Sequence, residues 1–333
     1  MKRSIEECND DDLVIVRKAL EEASVDIHRE LSAHIGYHTS VAFKSDDGRP
    51  KTKNASGDKQ APLDVVSDRC VENALKKCDL IAGFASEERK DFVSLNSTKG
   101  KFVIVFDPLD GSQNLPVGLS VGSIFGVFRA KSLKDISSGL DLVAAGYSLY
   151  SASLQFVWTS LNREGAVLSQ YDFSKKMWIV ATRKHMQPVK GKTYCINEGS
   201  ASNWNEDIRF LVSNHLKGRS IRWMACMVAD VHRPLMEGGG FLYPCDKKYT
   251  KGRLRLVYEA YPMAFVWEKC TQNGGVAVCR HKDLTYDRIL KVPFPHDDVH
   301  SRCGVILLGP TEAKMFQKSV ELASERGADW GKF

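Results

Sequence analysis

The spacing of apolar residues along the chain predicts several helices and strands. From Leu13 to Gly36 apolar residues recur every three or four positions, which is typical of a long amphipathic helix. A second helix is predicted over Leu63 to Lys77. Short apolar runs predict strands, and one of them is apolar at almost every position, as in a strand buried on both faces. The runs are Leu80 to Ala85, Lys101 to Phe106, Val121 to Phe128, Leu142 to Leu149 and Leu154 to Thr159.

Two polar segments interrupt this pattern. Ser45 to Gln60 is rich in Lys, Asp and Gly, and beside a chemical site such a segment indicates a lid rather than a linker. The basic stretch from Thr182 to Lys192 separates the first half from a second half in which helices and strands alternate again. We therefore expect an α/β protein of two units that share an interface, residues 1–184 and residues 185–333.

Composition and charge exclude several classes of function. The 333 residues are 43% hydrophobic, and the net charge of +6 is spread along the chain without basic runs, which argues against nucleic-acid binding. No apolar run reaches the ~18 residues of a membrane helix, and the polar, acidic N-terminus is unlike a targeting peptide. Nine cysteines without a CxxC pair indicate reduced thiols. We expect a cytoplasmic protein that binds no membrane.

Two acidic segments that follow predicted strands indicate a common site. Asp107 and Asp110 come directly after a buried strand, with Pro and Gly imposing a tight turn between them. Glu87 and Glu88 follow another strand, so both pairs are expected at one sheet edge, where α/β proteins bind ligands. Taken alone, the Asp107–Asp110 segment equally fits a solvated loop, and the Glu87-Glu88 pair more often marks a solvated helix start. If a helix begins after Gly111, its free N–H groups would hold a phosphate beside the carboxylates.

Several carboxylates around one point require a cation. Like charges repel strongly where water is scarce, so such a cluster is stable only when cations neutralise it. Mg²⁺ suits oxygen ligands together with water and substrate phosphate, and Mn²⁺ is expected to substitute for it. The motifs offer no Cys or His, which argues against zinc. The sequence therefore predicts a magnesium-dependent phosphatase.

A set of motifs between residues 55 and 310 resembles one enzyme family. In order, they are GDKQAPLDVVSD, SEE, DPLDGS, SVGSIFGVF, VAAGYSLY, INEG, CMVADVHR, FLYPCDKK and LRLVYEAYPMAFVWEK. With them the chain resembles class I fructose-1,6-bisphosphatase and its relative sedoheptulose-1,7-bisphosphatase. DPLDGS is shared with the wider inositol-phosphatase superfamily, whereas MVADVHR and FLYP are much more specific. The resemblance implies a layered α-β-α-β-α sugar-phosphatase fold, phosphoric monoester hydrolysis of a sugar bisphosphate, and a homo-oligomer, either tetramer or dimer.

The resemblance also implies a role for each matching residue. The implied metal ligands are Glu87, Glu88, Asp107, Asp110, Glu259 and the backbone carbonyl of Leu109. Asp58 and Asp64 match residues that activate the attacking water, with Glu88 as base. Gly111, Ser112 and Arg255 match residues around the 1-phosphate. Contacts to the sugar and its far phosphate are implied for Asn197, Arg222, Met227, Tyr243, Arg253 and Tyr258.

The residues implied around the far phosphate depart from the common fructose-bisphosphatase pattern. Ser200 and Trp223 stand where tyrosines are usual, Ala225-Cys226 replaces Gly-Ser, and Arg253 replaces lysine. We expect each change to alter the far-phosphate pocket and to leave the metal site intact. A lost phenol and a longer guanidinium would accommodate a sugar one carbon longer.

These departures favour hydrolysis of sedoheptulose 1,7-bisphosphate to sedoheptulose 7-phosphate and phosphate. The alternative is a fructose-1,6-bisphosphatase that lacks AMP inhibition. Asp10-Asp11-Asp12-Leu13-Val14 stands where AMP-inhibited members carry a Thr-Gly-Glu-Leu-Thr-like motif, and three aspartates would repel a nucleotide phosphate. Phe102 stands where a nucleotide-contacting tyrosine is typical. A non-catalytic sugar-phosphate-binding protein is a remote alternative, because no implied metal ligand is missing.

Overall fold

The structure is a computed structural model that describes residues 10–35, 62–271, 274–280 and 286–325. The helices in these residues are α1 (Asp10–Ile35), α2 (Pro62–Lys76), α3 (Glu206–Phe210), α4 (Met227–Glu237), α5 (Tyr261–Cys270) and α6 (Pro310–Glu325). The strands of the first half are β1 (Ile81–Ser86), β2 (Val93–Ser94), β3 (Phe102–Asp110), β4 (Val121–Phe128), β5 (Leu142–Tyr150), β6 (Leu154–Ser160), β7 (Ala166–Asp172) and β8 (Met177–His185). Those of the second half are β9 (Thr193–Ile196), β10 (Ser220–Ile221), β11 (Gly240–Tyr243), β12 (Leu254–Arg255), β13 (Val276–Arg280), β14 (Tyr286–Arg288), β15 (Arg302–Cys303) and β16 (Val305–Leu308).

The first eight strands form one sheet. Its order is β2-β1-β3-β4-β5-β6-β7-β8, and β1 and β3 run parallel while the other neighbours are antiparallel. Every residue of β3, β4 and β5 is buried, as a strand covered on both faces requires. These three strands confirm the strands that the apolar runs predicted. β8 is largely exposed at the sheet edge, and it extends the sheet into the basic stretch predicted as a separator.

The second half builds a smaller sheet in the order β10-β9-β11-β16-β13-β14. The short strands β12 and β15 pair beside it. The eight-stranded sheet ends at His185 and the six-stranded sheet begins with β9. That residues 1–184 and 185–333 are separate units stays a prediction.

Helices and sheets stack in alternating layers around three apolar cores. The first core packs α1 and α2 on one face of the large sheet and includes Leu20, Val71 and Ile104. The second core fills the space between the two sheets with α4 and α5, and the third packs α3 and α6 against the outer face of the small sheet. The order is therefore α-β-α-β-α, which confirms the predicted fold class.

The described helices match the sequence pattern closely. α1 and α2 begin and end within a few residues of the predicted bounds, although Gly36 lies outside the described residues. In the part of the chain that the structure describes, no helix combines the length and the hydropathy that crossing a membrane requires.

Candidate metal and phosphate site

Two parallel strands bring the acidic segments to the same edge of the large sheet. The β1–β3 register pairs Ser86 with Phe106, and the Glu87 amide donates to the Phe106 carbonyl at 3.1 Å. Glu87 and Asp107 therefore follow directly from paired residues. This juxtaposition agrees with the sequence expectation that both pairs share an edge.

The predicted turn directly after Phe106 is wrong, because β3 continues to Asp110. The β3–β4 register shifts between Asp107 and Asp110, and this irregularity includes Pro108, which has no N–H to donate. In a regular strand, residues three apart point to opposite faces of the sheet. The shift removes that alternation, so both carboxylates approach the same region, and the charge of Asp110 contributes to the raised pKa of Asp107.

A third carboxylate comes from the second half of the chain. Glu259 lies in a π-helical turn, Leu256–Ala260, that leads into α5. Carboxylate oxygens of Glu87, Asp107 and Glu259 lie within 4.8 Å of one another. The Glu259 carboxylate also accepts a hydrogen bond from the Arg255 amide, which fixes its direction.

The electrostatics of this three-carboxylate group fit a hard divalent cation. Burial raises the pKa of Asp107 well above its usual range, and the charge of Glu87 raises it further. Burial and Glu87 have the same effect on the pKa of Glu259. Arg255, which is 2% exposed, places Nε 3.3 Å from Glu87 and neutralises part of the charge. The donors are all carboxylate oxygens, the ligand type that Mg²⁺ and Mn²⁺ prefer.

Three other implied metal ligands lie at the margin of this group. Asp110 Oδ2 accepts from the Val228 amide at 2.6 Å and lies 3.1 Å from Cys226 Sγ, at the start of α4. The Leu109 amide donates to Asp107 Oδ1 at 2.9 Å, which orients that carboxylate. Glu88 is half-buried. Among the described residues, the carboxylates that meet within 4.8 Å do not include those of Glu88 or Asp110.

The Asp110–Cys226 contact corrects one sequence expectation. Cys226 was expected to change the far-phosphate pocket alone, but its thiol lies against a carboxylate of the acidic group. Cys226 is 1% exposed and also accepts from the Ala229 amide at the start of α4. The thiol therefore belongs to the support of Asp110.

The predicted phosphate cradle begins with a left-handed residue. Gly111 has φ 75°, and a Cβ added there would lie 2.6 Å from the Cys226 Cβ, so the position requires glycine. Ser112 then starts a short 3-10 helix, Ser112–Val117, rather than an α-helix. The roles of Gly111 and Ser112 at the 1-phosphate stay predictions.

The residues implied to activate water are described only in part. Asp64 is 5% exposed in the first turn of α2, a helix that packs on β1 and β3. Asp58 lies outside the described residues. The same helix is tied to the segment after β1 by Arg89, which bonds Asp68 and Glu72.

The residues implied at the far phosphate are brought together around Arg253. Its Nη1 donates to Tyr243 Oη at 2.9 Å and its Nη2 donates to Ser200 Oγ at 3.3 Å. Trp223 packs edge-on against Tyr243. The substituted positions 200, 223 and 253 therefore belong to one group, as the sequence indicated.

Four further implied substrate residues have different environments. Asn197 caps the 3-10 helix Glu198–Asn203 by accepting from the Gly199 amide at 3.1 Å. Arg222 is exposed, and its Nη1 donates to the neighbouring Ile221 carbonyl. Met227 is buried at the first position of α4. Tyr258 is fully buried, and its Oη has no hydrogen-bond partner among the described residues.

Comparison with known proteins identifies the family. Two protein-family sequence models match the chain. The family model for the fructose-1-6-bisphosphatase N-terminal domain matches residues 41–183, and the family model for the C-terminal domain matches residues 187–315. The chain belongs to the class I fructose-1,6-bisphosphatase family. As a member of this family it is a phosphoric monoester hydrolase of carbohydrate metabolism, a phosphatase of the sugar-bisphosphatase class.

Curated relatives and solved structures agree with this assignment. The chain is 38% identical over 283 residues to fructose-1,6-bisphosphatase of Saccharomyces cerevisiae, covering 81% of this chain and 78% of the yeast protein. It is 37% identical over 249 residues to the cytosolic fructose-1,6-bisphosphatase of Oryza sativa subsp. indica, covering 71% and 73%. The holo form of Leishmania major fructose-1,6-bisphosphatase superposes with a TM-score of 0.81 at 30% identity, covering 93% of this chain and 94% of that chain. The family fold therefore extends over both halves of the molecule.

Proposed function

We propose that this member of the family hydrolyses the 1-phosphate ester of fructose 1,6-bisphosphate in a Mg²⁺-dependent reaction, with Mn²⁺ as a substitute. The observation that carries the proposal is the convergence of Glu87, Asp107 and Glu259 within 4.8 Å. The relatives compared above are named fructose-1,6-bisphosphatase and match at least 71% of this chain. They support the six-carbon alternative of the sequence prediction better than the sedoheptulose reading.

The proposal assigns the acidic residues to the metal. Glu87, Asp107 and Glu259 would hold it, joined by Glu88, Asp110 and the Leu109 carbonyl. The bound cations would lower the pKa of a water molecule and stabilise charge on the departing ester oxygen. Asp64 and Glu88 would receive the proton of the attacking water, together with Asp58, which lies outside the described residues.

The remaining residues of the proposal bind the substrate. Arg255 is buried beside Glu87 and would pair with the 1-phosphate next to the backbone amides of Gly111 and Ser112. The buried Tyr258 hydroxyl would donate to a sugar or phosphate oxygen, since it has no hydrogen-bond partner among the described residues. At the other end, Arg253 and Tyr243 would bind the far phosphate, with Asn197, Arg222 and Met227 around the sugar.

The test is phosphate release from fructose 1,6-bisphosphate with and without Mg²⁺. We expect turnover that EDTA abolishes and that Mg²⁺ or Mn²⁺ restores. Asp107→Asn should lower kcat by at least about 100-fold with the fold retained, whereas the exposed Glu237→Gln should leave it unchanged. Metal-independent turnover, or normal turnover in Asp107→Asn, would contradict the proposal.

A second candidate substrate is sedoheptulose 1,7-bisphosphate, which the Arg253 group favours. At position 200 the side chain is a small serine, and the longer guanidinium of Arg253 reaches it at 3.3 Å. Substitution of a tyrosine by serine leaves room for one more carbon at this end of the pocket. Comparison of kcat/KM on the two bisphosphates decides between the candidates, and a ratio above about ten in either direction assigns the main substrate.

We also propose that AMP does not inhibit this enzyme. The family resemblance implies that a nucleotide phosphate would approach the start of α1, where Asp11 and Asp12 carry negative charge that the ion pair of Asp12 with Lys101 offsets only in part. Phe102 is 1% exposed and has no hydroxyl to offer. Millimolar AMP should leave turnover unchanged, and inhibition at micromolar AMP would contradict this proposal.

We propose that the enzyme acts in the cytoplasm and that it forms a homo-oligomer, either a tetramer or a dimer. It is supported by the cytosolic rice relative and by the resemblance of the whole chain to this family. Light scattering coupled to gel filtration measures the assembly directly, and a monomer at micromolar concentration would contradict it.

A further inference from the structure

Arg253 is enclosed by two aromatic rings and an acid. Its guanidinium carbon lies 3.7 Å from the centroid of the Tyr249 ring, whereas the Tyr243 ring lies 5.3 Å away. Asp246, which is 5% exposed, has Oδ2 3.9 Å from Nη2. The Arg253 side chain remains 24% exposed, so the group leaves part of the guanidinium accessible. Tyr249 matches none of the residues that the family resemblance implied.

A tight turn holds Tyr249 over Arg253. Asp246 Oδ1 accepts from the amides of Lys248 and Tyr249 at 2.8 and 2.7 Å, which closes the turn. The Tyr249 carbonyl then accepts from the Gly252 amide at 2.9 Å, so the chain folds back immediately before Arg253. Gly252 has φ 79°, and a Cβ there would meet the Cys303 backbone at 2.1 Å. The turn therefore fixes the backbone of Tyr249, from which the ring reaches the Arg253 guanidinium.

A contact of 3.7 Å to the ring centroid means that the guanidinium lies over the ring face. Such stacking stabilises a planar cation and restricts its rotation, whereas a lysine ammonium has no plane to align. Tyr243 and Ser200 accept from two N–H groups of the same guanidinium. The ring and the two acceptors fix the plane, and the remaining donors can approach a phosphate in a defined direction.

We infer that Tyr249 is a positioning residue for the far phosphate: it orients Arg253 and so sets the affinity for the phosphorylated end of the sugar. The inference rests on the proposed function and deepens it. Tyr249 itself does not contact the reacting atoms. Tyr249 provides the aromatic ring beside Arg253. Position 200, where the family usually has a tyrosine, is a serine and provides none.

The experiment compares Tyr249→Ala and Tyr249→Phe on substrates with and without the far phosphate. Tyr249→Ala should raise KM for the bisphosphate about fivefold with kcat within about twofold, because a stacked cation is worth about 1 kcal/mol at a partly exposed site. Tyr249→Phe retains the ring and should match the wild type. With fructose 1-phosphate, which lacks the far phosphate, Tyr249→Ala should leave kcat/KM unchanged.

A double-mutant cycle with Arg253→Lys separates positioning from a general effect on the fold. In the Arg253→Lys background, Tyr249→Ala should change KM by less than about twofold, since the planar group is gone. Equal losses in both backgrounds, or an equal loss on the monophosphate, would overturn the inference. Wild-type KM in Tyr249→Ala would also overturn it.

Binding of fructose 6-phosphate, measured by calorimetry, keeps this test independent of turnover. The product retains the far phosphate, and Tyr249→Ala should weaken its binding about fivefold. If the wild type binds fructose 6-phosphate but hydrolyses neither bisphosphate, the proposed function fails while the binding comparison still decides the role of Tyr249. If the wild type neither binds nor hydrolyses, both proposals fail.

Discussion

Replacement of Glu259 by glutamine should stabilise the metal-free enzyme while it removes activity. The three carboxylates of Glu87, Asp107 and Glu259 lie within 4.8 Å of one another, and Asp107 and Glu259 are buried. Without a cation they repel one another, and glutamine at position 259 removes one charge. The amide oxygen can still accept the hydrogen bond from the Arg255 amide, so the local backbone is preserved.

The size of the effect follows from the separation of the charges. Two unit charges 4.8 Å apart repel by about 3.5 kcal/mol at an effective dielectric of about 20. Glu259 takes part in two such pairs, but burial and the charge of Glu87 raise the pKa of both Asp107 and Glu259, and Arg255 offsets part of the charge of Glu87, so the full repulsion is not expected. We therefore expect a gain of about 1–3 kcal/mol, or about 1–4 °C in Tm.

The sign of the pH dependence follows from the same shifts. A carboxyl whose pKa is raised in the folded state binds protons more readily there than in the unfolded chain. The metal-free wild type should therefore lose stability as the pH rises above about 4.5, the ordinary pKa of Glu259. Mg²⁺ should reverse this loss, and at 100 times its Kd it adds about 2.7 kcal/mol.

The assay is thermal unfolding in EDTA and in Mg²⁺ between pH 5 and pH 8. Glu259→Gln should show a smaller fall in Tm with pH than the wild type and a smaller gain from Mg²⁺. The exposed Glu237→Gln serves as the matched control and should change stability by less than about 0.5 kcal/mol. A metal-free Glu259→Gln variant that is less stable than the wild type at pH 8 would refute the repulsion argument.

Three further predictions concern the support of the site. Gly111→Ala should cost about 3 kcal/mol by urea unfolding, because it adds a close approach to Cys226 to an unfavourable φ of 75°. Gly118→Ala has a similar φ of 70° but nothing within 4 Å, so it should cost only about 1 kcal/mol, and equal costs would contradict the contact. Burial raises the pKa of Asp230 to about 7, so wild-type stability should fall as the pH rises from about 4 to 7, and Asp230→Asn should gain more at pH 8 than at pH 5.

The apolar runs predicted the central strands of the large sheet well because these strands are buried on both faces, whereas the layered arrangement was implied only by the family resemblance. β3, β4 and β5 read as unbroken apolar runs, and their bounds agree with the sequence to within a few residues. The exposed edge strand β8 carries no such signal, and its last residues lie in the basic stretch that was predicted to separate the two halves. A strand can be predicted from the sequence where burial requires apolar residues, and it is missed at an exposed sheet edge, where polar residues are tolerated.

The acidic segments were recognised, but their geometry was not. The turn expected after Phe106 is a register shift within β3, which depends on pairing with β4 and not on local sequence. Glu259 reaches the group through a π-helical turn that no apolar periodicity reveals. The sequence left the role of Tyr249 undecided, because its contact with Arg253 arises from the turn that Asp246 closes.

Under the proposed function Arg255 and Arg253 bind opposite ends of the substrate, and the contacts around them predict which end adapts to a longer sugar. Arg253 directly precedes β12, and Arg255 is the second residue of that strand. In an extended segment, residues two positions apart are separated by about 6.6 Å along the backbone. Arg302 ties the segment further by donating to the Arg253 carbonyl. The backbone therefore sets a fixed spacing between the two guanidinium stems.

Of the two arginines, only Arg253 has room to adjust. Arg255 is 2% exposed and close to Glu87, whereas Arg253 is 24% exposed and its guanidinium contacts the side chains of Tyr243, Ser200 and Tyr249. If Arg255 binds the 1-phosphate as proposed, a seven-carbon sugar needs extra space at the Arg253 end, from the small side chain of Ser200, from movement of Arg253, or from both. Since stacking on Tyr249 restricts that movement, Tyr249→Ala should change the ratio of kcat/KM on the two bisphosphates. An unchanged ratio would mean that chain length is read elsewhere in the pocket.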